Sequence, residues 1–155
     1  MSTSATAAAT LEAVDEEMAD VVRYSAAAGL PLDVAALTQA NPRFYVTLRN
    51  ADNEPFFVEV DCTEYPKYPP TIEFVDEARQ TRGQSSLYPN GFHPMPCVCM
   101  RYNRKAYGER GGPHAADWRL VDWRMPTGGG VGIDTLAMIV SDLHSKISSS
   151  RGRLA

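Results

Sequence analysis

Two cysteines, Cys97 and Cys99, close the stretch Tyr88-Pro89-Asn90-Gly91-Phe92-His93-Pro94-Met95-Pro96-Cys97-Val98-Cys99-Met100. A cysteine is the best side-chain nucleophile near neutral pH, and a neighbouring asparagine carboxamide donates to the oxyanion formed when a thioester is attacked. Asn90 is the asparagine in this stretch, nine residues before Cys99 and seven before Cys97. The basic tract Arg101-Tyr102-Asn103-Arg104-Lys105 follows at once, and positive charge beside a thiol favours its thiolate. Two other readings use the same residues. Cys97 and Cys99 are also what small buried hydrophobes on a strand look like. A metal would take Cys97, Cys99 and one of His93 or His114, but paired Cys-x-x-Cys knuckles and a fourth cysteine are absent, so no metal is assigned.

Two further groups of residues flank this chemistry. Tyr65-Pro66-Lys67-Tyr68-Pro69-Pro70 predicts a rigid, extended strap, because each proline fixes its own φ and pushes the preceding residue toward extended backbone. A plain crossover between strands and a proline ligand for an SH3-type domain are the alternatives. Trp123-Arg124-Met125-Pro126-Thr127 offers a large ring to anchor an irregular loop. Between the cysteines and that tryptophan lie His114, Asp117, Trp118 and Asp122, where a histidine has the chemistry to take a proton from an incoming amine or simply to bond a loop.

These residues need elements to hold them. Leu11, Val14, Met18 and Val21 or Val22 fall at helical spacing, with Thr10 as start cap, Gly29 as stop, and Asp15, Glu16 and Glu17 on a solvated face. Residues 1–10 read as a disordered tail. The stretch from Pro31 to Pro42 fits a short strand or a helical turn. Phe44 to Leu48 and Phe56 to Val60 form a hairpin about the turn Asn50-Ala51-Asp52-Asn53-Glu54-Pro55, and Thr71 to Val75 extends the meander. From Asp76 to Val131 the chain is irregular and glycine-punctuated, with the run Gly128-Gly129-Gly130 at its end. Ile133, Leu136, Ile139 or Val140, Leu143 and Ile147 make a final helix, capped by Gly132 or Asp134, and residues 148–155 read as a frayed tail. The expected arrangement is α+β, with the first helix beside the meander and the last helix covering the other side of the sheet.

Composition bounds the function. A chain of 155 residues suits one domain, here residues 11–147, and contains no apolar run long enough to cross a bilayer, so no membrane is expected. A formal charge of -4 supplies no positive field for a phosphate backbone, which excludes nucleic acid as the default partner. Three cysteines, Cys62, Cys97 and Cys99, are too few for a secreted disulfide framework, so a reducing, cytoplasmic setting is expected.

The order of helix, meander, Tyr-Pro-x-x-Pro-Pro, Pro-Asn turn, apolar-flanked cysteine, Trp-x-x-Pro and helix resembles the ubiquitin-conjugating enzymes, the E2 family, in particular compact bacterial relatives from ubiquitin-like conjugation operons. The resemblance spans Leu11 to Ile147. It implies a UBC-like fold, with Tyr65, Pro66, Pro69 and Pro70 as the family strap and Trp123 and Pro126 as the turn before the last helix. Val98-Cys99-Met100 is similar to the segment around the family's acceptor cysteine, which makes Cys99 the nucleophile and Cys97 the alternative. Tyr88-Pro89-Asn90 is similar to the His-Pro-Asn motif, with Asn90 as oxyanion donor and His93-Pro94 as a competing match. The implied activity is acceptance of a ubiquitin-like protein from an E1-like enzyme as a thioester, then transfer to a target amine, with no cofactor. A longer insertion, 101–122, is then expected to lie against the nucleophile as a lid, with His114 aiding transfer. The rivals are a catalytically silent module that binds a ubiquitin-like protein and a Cys-His hydrolase using Cys99 and His114.

Overall fold

The computed structural model describes residues 2–126 and 132–154, so Thr127 and the glycine run Gly128 to Gly130 lie outside the described residues. Helix α1 spans Ser2–Ala28, and strands β1 (Leu32–Asp33), β2 (Arg43–Arg49), β3 (Pro55–Asp61) and β4 (Thr71–Val75) follow. Helix α2 covers Leu136–Ser148. The architecture is α+β, with the four strands in one antiparallel sheet ordered β1-β2-β3-β4. Among the described residues no helix is long and apolar enough to cross a membrane.

The meander follows from alternation. Phe44, Val46 and Leu48 of β2, Phe56, Val58 and Val60 of β3, and Ile72 and Phe74 of β4 are all buried, and the register sets Val46 opposite Val58 and Val58 opposite Phe74. Asn50 closes the β2–β3 turn by accepting from the backbone N–H of Asp52 and Glu54 at 3.0 and 2.9 Å. The short β1 resolves the ambiguous stretch after Pro31 as a strand.

Several expectations need correction. Helix α1 begins at Ser2 rather than Leu11, because the alanine-rich start has high helix propensity and continues the same helix. Thr10 is consequently a buried residue inside the helix and not its cap. Residues 150–154 are tied down rather than frayed, with Leu154 N–H donating to Tyr88 O at 3.0 Å and Arg153 bridged to Pro89. The helices do not take opposite sides of the sheet: α1 packs on α2, and α2 packs on β2. The sheet's other face is polar, with Tyr45, Arg43 and Arg82 gathered on the buried Glu59.

Glu17, expected on the solvated face, turns inward. One of its carboxylate oxygens accepts from Tyr65 Oη at 2.5 Å, and the other from the backbone N–H of Leu136 at 2.8 Å. Leu136 opens α2, where first-turn N–H groups have no intrahelical partner. The cap of α2 is Thr135, whose hydroxyl accepts from Met138 N–H at 3.2 Å, not Gly132 or Asp134. The strap is likewise not extended. It is a turn with a cis Tyr65-Pro66 bond, closed by Tyr68 N–H donating to Glu64 O at 3.0 Å. The Tyr65 ring packs in the core against Trp123, with centroids 6.1 Å apart.

Beyond β4 the chain lies along the sheet edge without forming a strand. Asn103, fully buried, replaces the missing ladder: its Oδ1 accepts from Ile72 N–H at 2.9 Å and Lys105 N–H at 3.1 Å, and its Nδ2 donates to Val98 O at 2.9 Å. Arg104 N–H adds a bond to Pro70 O at 2.9 Å. Asn103→Ala removes the acceptor of the Ile72 and Lys105 N–H groups, so the expected outcome is a loss of about 2 kcal/mol in urea unfolding. A loss under about 0.5 kcal/mol, the range of an ordinary surface change, contradicts this role.

Candidate active site

Cys97 and Cys99 are presented by two consecutive tight turns. His93 and Cys97 form an antiparallel bridge, with His93 N–H to Cys97 O at 3.3 Å and Cys97 N–H to His93 O at 3.4 Å, around the Pro94-Met95-Pro96 tip. The chain then turns again, Met100 N–H donating to Val98 O at 2.9 Å and Asn103 N–H to Met100 O at 2.9 Å. The Asn103 carboxamide holds Val98 from the core side. Cys97 is therefore buried and Cys99 is left half-buried at the surface.

Cys99 opens into a cavity of about 340 Å³ that Asn90, Phe92, His93, Lys146 and Ser149 also line. Two residues singled out by sequence, Cys99 and Asn90, thus share one cavity. The carboxamide of Asn90 has no hydrogen-bond partner among the described residues, while its backbone is bonded on both sides: N–H to Gly152 O at 3.2 Å, and C=O from Ser150 Oγ at 2.5 Å. Tyr88 is buried beside Phe74 and donates its hydroxyl to Glu73 at 2.9 Å. Burial and that carboxylate push the Tyr88 phenol far above its usual range, so it remains a donor.

Burial sets the electrostatics of the thiol pair. It pushes Cys97 up to about 12, reinforced by the neighbouring Cys99. Burial also raises Cys99, an effect that the neighbouring Cys97 offsets only in part. The basic tract does not supply this help. Arg104 pairs with Glu64 and Glu109, and Lys105 pairs with Glu73 at 2.7 Å. The Arg101 guanidinium lies 5.3 Å from the Trp118 ring.

No residue of the 101–122 insertion lines the cavity at Cys99. Tyr102, Asn103, Arg104, Ala106 and Tyr107 are core residues, and Tyr102 Oη donates to Asp142 of α2 at 2.7 Å. Gly112 packs so closely that a Cβ there would stand 2.2 Å from Lys105 O. His114 is held in this subassembly, its ring stacked on Trp118 at 3.6 Å and its Nδ1 3.0 Å from Asp117. The structure does not bring His114 to the cavity at Cys99. Trp123 and Pro126 line a small neighbouring groove with Met100 and Arg101, and Arg124 donates to Pro66 O at 3.2 Å, which joins the Trp-x-x-Pro turn to the strap.

Sequence reasoning gave His93 only a rival role and missed Lys146 and Ser149 altogether. His93 was detectable as a ring in the proline-bracketed turn four residues before Cys97. Lys146 and Ser149 carried no signal, since only the packing of α2 delivers their end of the helix to the cavity. Among the described residues no group of three or more His, Cys, Asp or Glu side chains is arranged to hold a metal ion. Comparison with protein-family models, with curated proteins and with solved structures finds no match for this chain.

The two thiols should separate chemically. Iodoacetamide at pH 8, followed by peptide mass spectrometry, is expected to modify Cys99 and spare buried Cys97 and Cys62. Equal modification of Cys97 and Cys99 contradicts this separation. The same burial links Cys97 to stability. An unfolded thiol ionises near 9.0, whereas folded Cys97 holds its proton to about 12. Its stabilising contribution is complete below pH 9.0 and is lost as pH rises toward 12. Cys97→Ser should therefore flatten the alkaline fall in stability relative to wild type.

Proposed function

We propose that this chain is an E2-like conjugating enzyme that accepts the C terminus of a ubiquitin-like protein on Cys99 and transfers it to an amine. The observation that carries the reading is the shared cavity: an accessible thiol and an unengaged carboxamide, Cys99 and Asn90, on a scaffold that fastens the Tyr65–Pro70 turn to Trp123.

The reaction is acyl transfer in two steps. The Cys99 thiolate attacks the thioester carbonyl presented by an E1-like enzyme, the new carbon–sulfur bond forms, and the E1 thiolate leaves. A neutral amine then attacks the Cys99 thioester, loses its proton to solvent, and expels the Cys99 thiolate. Each step passes through an oxyanion, where the Asn90 carboxamide is the donor, an interaction of about 3 kcal/mol for one well-placed group.

His93 has a different part. Its Nδ1 accepts from Met95 N–H at 3.1 Å, so in the neutral ring Nε2 carries the hydrogen and acts as a donor rather than a base. His114, paired with Asp117 away from the cavity, has no part in proton transfer here. ATP is consumed on the E1, so no cofactor acts at this step.

The test is charging. With E1, ATP and the ubiquitin-like partner, wild type and Cys97→Ser are expected to form an adduct on a non-reducing gel that thiol reductant removes, and Cys99→Ser is not. Absence of any reducible adduct on wild type overturns the conjugating reading and favours a silent binding module. Release of the free ubiquitin-like protein without amine favours the hydrolase.

A further inference from the structure

Asn90 sits on an exposed turn, and a donor to an oxyanion works only if its position is held before the reaction begins. The turn's own residues do not do this. Gly91, next to it, has φ +102, and Pro89 has no N–H to give. What holds Asn90 comes from the far end of the sequence.

The segment following α2 runs antiparallel to residues 88–90. Leu154 N–H donates to Tyr88 O at 3.0 Å and Asn90 N–H donates to Gly152 O at 3.2 Å, with Pro89 opposite Arg153 between them. Ser150 Oγ then closes on Asn90 O at 2.5 Å. Both backbone groups of Asn90 are thereby claimed by this one segment, and its side chain is the part left over.

The segment is itself anchored on the β2–β3 turn. Ala51 N–H donates to Ser150 O at 2.8 Å, and Arg151 pairs with Asp52 at 2.5 Å. The Arg153 guanidinium donates to Pro55 O at 3.2 Å and lies 4.3 Å from the centre of the Phe56 ring. Gly152, at φ +72, makes the left-handed bend that lets the chain reach both the turn and Asn90. A rigid hairpin thus supports a strand-like strip, and the strip supports the Asn90 backbone.

We propose that the 150–154 segment is the positioning element of the active site, with Ser150 and Gly152 holding Asn90 so that its carboxamide meets the oxyanion formed at Cys99. The proposal rests on the conjugating reading of the Cys99 cavity. Ser150 and Gly152 are positioning residues, acting through Asn90 and touching no reacting atom. The continuous path from the cavity-lining end of α2 at Ser149 into this strip also makes the cavity wall and the donor's support one piece of chain.

The test is a double-mutant cycle on the full chain, using a small alkyl thioester as acyl donor to Cys99 and mass spectrometry to follow acylation, so that no E1 is needed. Asn90→Ala is expected to slow acylation about 100-fold, and Ser150→Ala about 10-fold through a displaced donor. Asn90→Ala combined with Ser150→Ala should be no slower than Asn90→Ala alone, because Ser150 acts only through Asn90. Ser150→Thr keeps the hydroxyl and should restore the wild-type rate. Hydrogen exchange supplies a second readout, the Asn90 amide losing protection in Ser150→Ala while the amides of β2 and β3 keep theirs. Wild-type acylation in Ser150→Ala, multiplicative losses in the double variant, or Asn90→Ala at the wild-type rate each overturns the proposal. Failure of wild type to take a ubiquitin-like protein from an E1, with the cycle behaving as expected, overturns the conjugating reading and leaves the positioning of Asn90 standing.

Discussion

A buried backbone that is not in a ladder still needs partners for its N–H and C=O groups, and the carboxamide of Asn103 meets that need at the edge of β4. From Asp76 to the start of α2 the described chain contains no strand or α-helix, only turns and three-residue 3₁₀ segments. Such a chain packs on a sheet edge only where side chains stand in for the missing ladder. Asn103 bonds β4 on one side and Val98 on the other, so the turn that displays Cys99 is indexed to the sheet through a single fully buried residue. Glu17 plays the matching part on the helical side, joining α1, Tyr65 and the first turn of α2 through one carboxylate.

The disposition of charge follows from the sheet register. Glu59 and Glu73 stand directly opposite each other on neighbouring strands, an unfavourable pair unless each has its own counter-charge. Arg82 and Arg43 serve Glu59, and Lys105 serves Glu73. The lysine closest in sequence to the cysteines is therefore committed to the sheet. Burial accordingly holds the Cys99 thiol above its ordinary range.

The sequence by itself determined what local periodicity and chemistry can carry. Alternation placed three strands within a residue of their observed ends, the turn residues from Asn50 to Pro55 closed the hairpin, and apolar spacing found both helices. Cys99 and Asn90, which the family resemblance paired, both line one cavity. The start of α1 was not legible because an alanine-rich run has helix propensity but no apolar stripe to betray it. Only the tertiary structure decided the rest. Glu17 and its acidic neighbours look alike in one dimension, and which carboxylate turns inward depends on where Tyr65 and Leu136 arrive. His114 and Lys105 stand close to the cysteines in sequence, yet stacking on Trp118 and pairing with Glu73 draw them away. Ser150 and Gly152 are 60 and 62 residues from Asn90 and nevertheless bond its backbone. Backbone hydrogen bonds between distant segments leave no periodic mark in a sequence, because every non-proline residue has the same donor and acceptor, and only packing selects which of them meet.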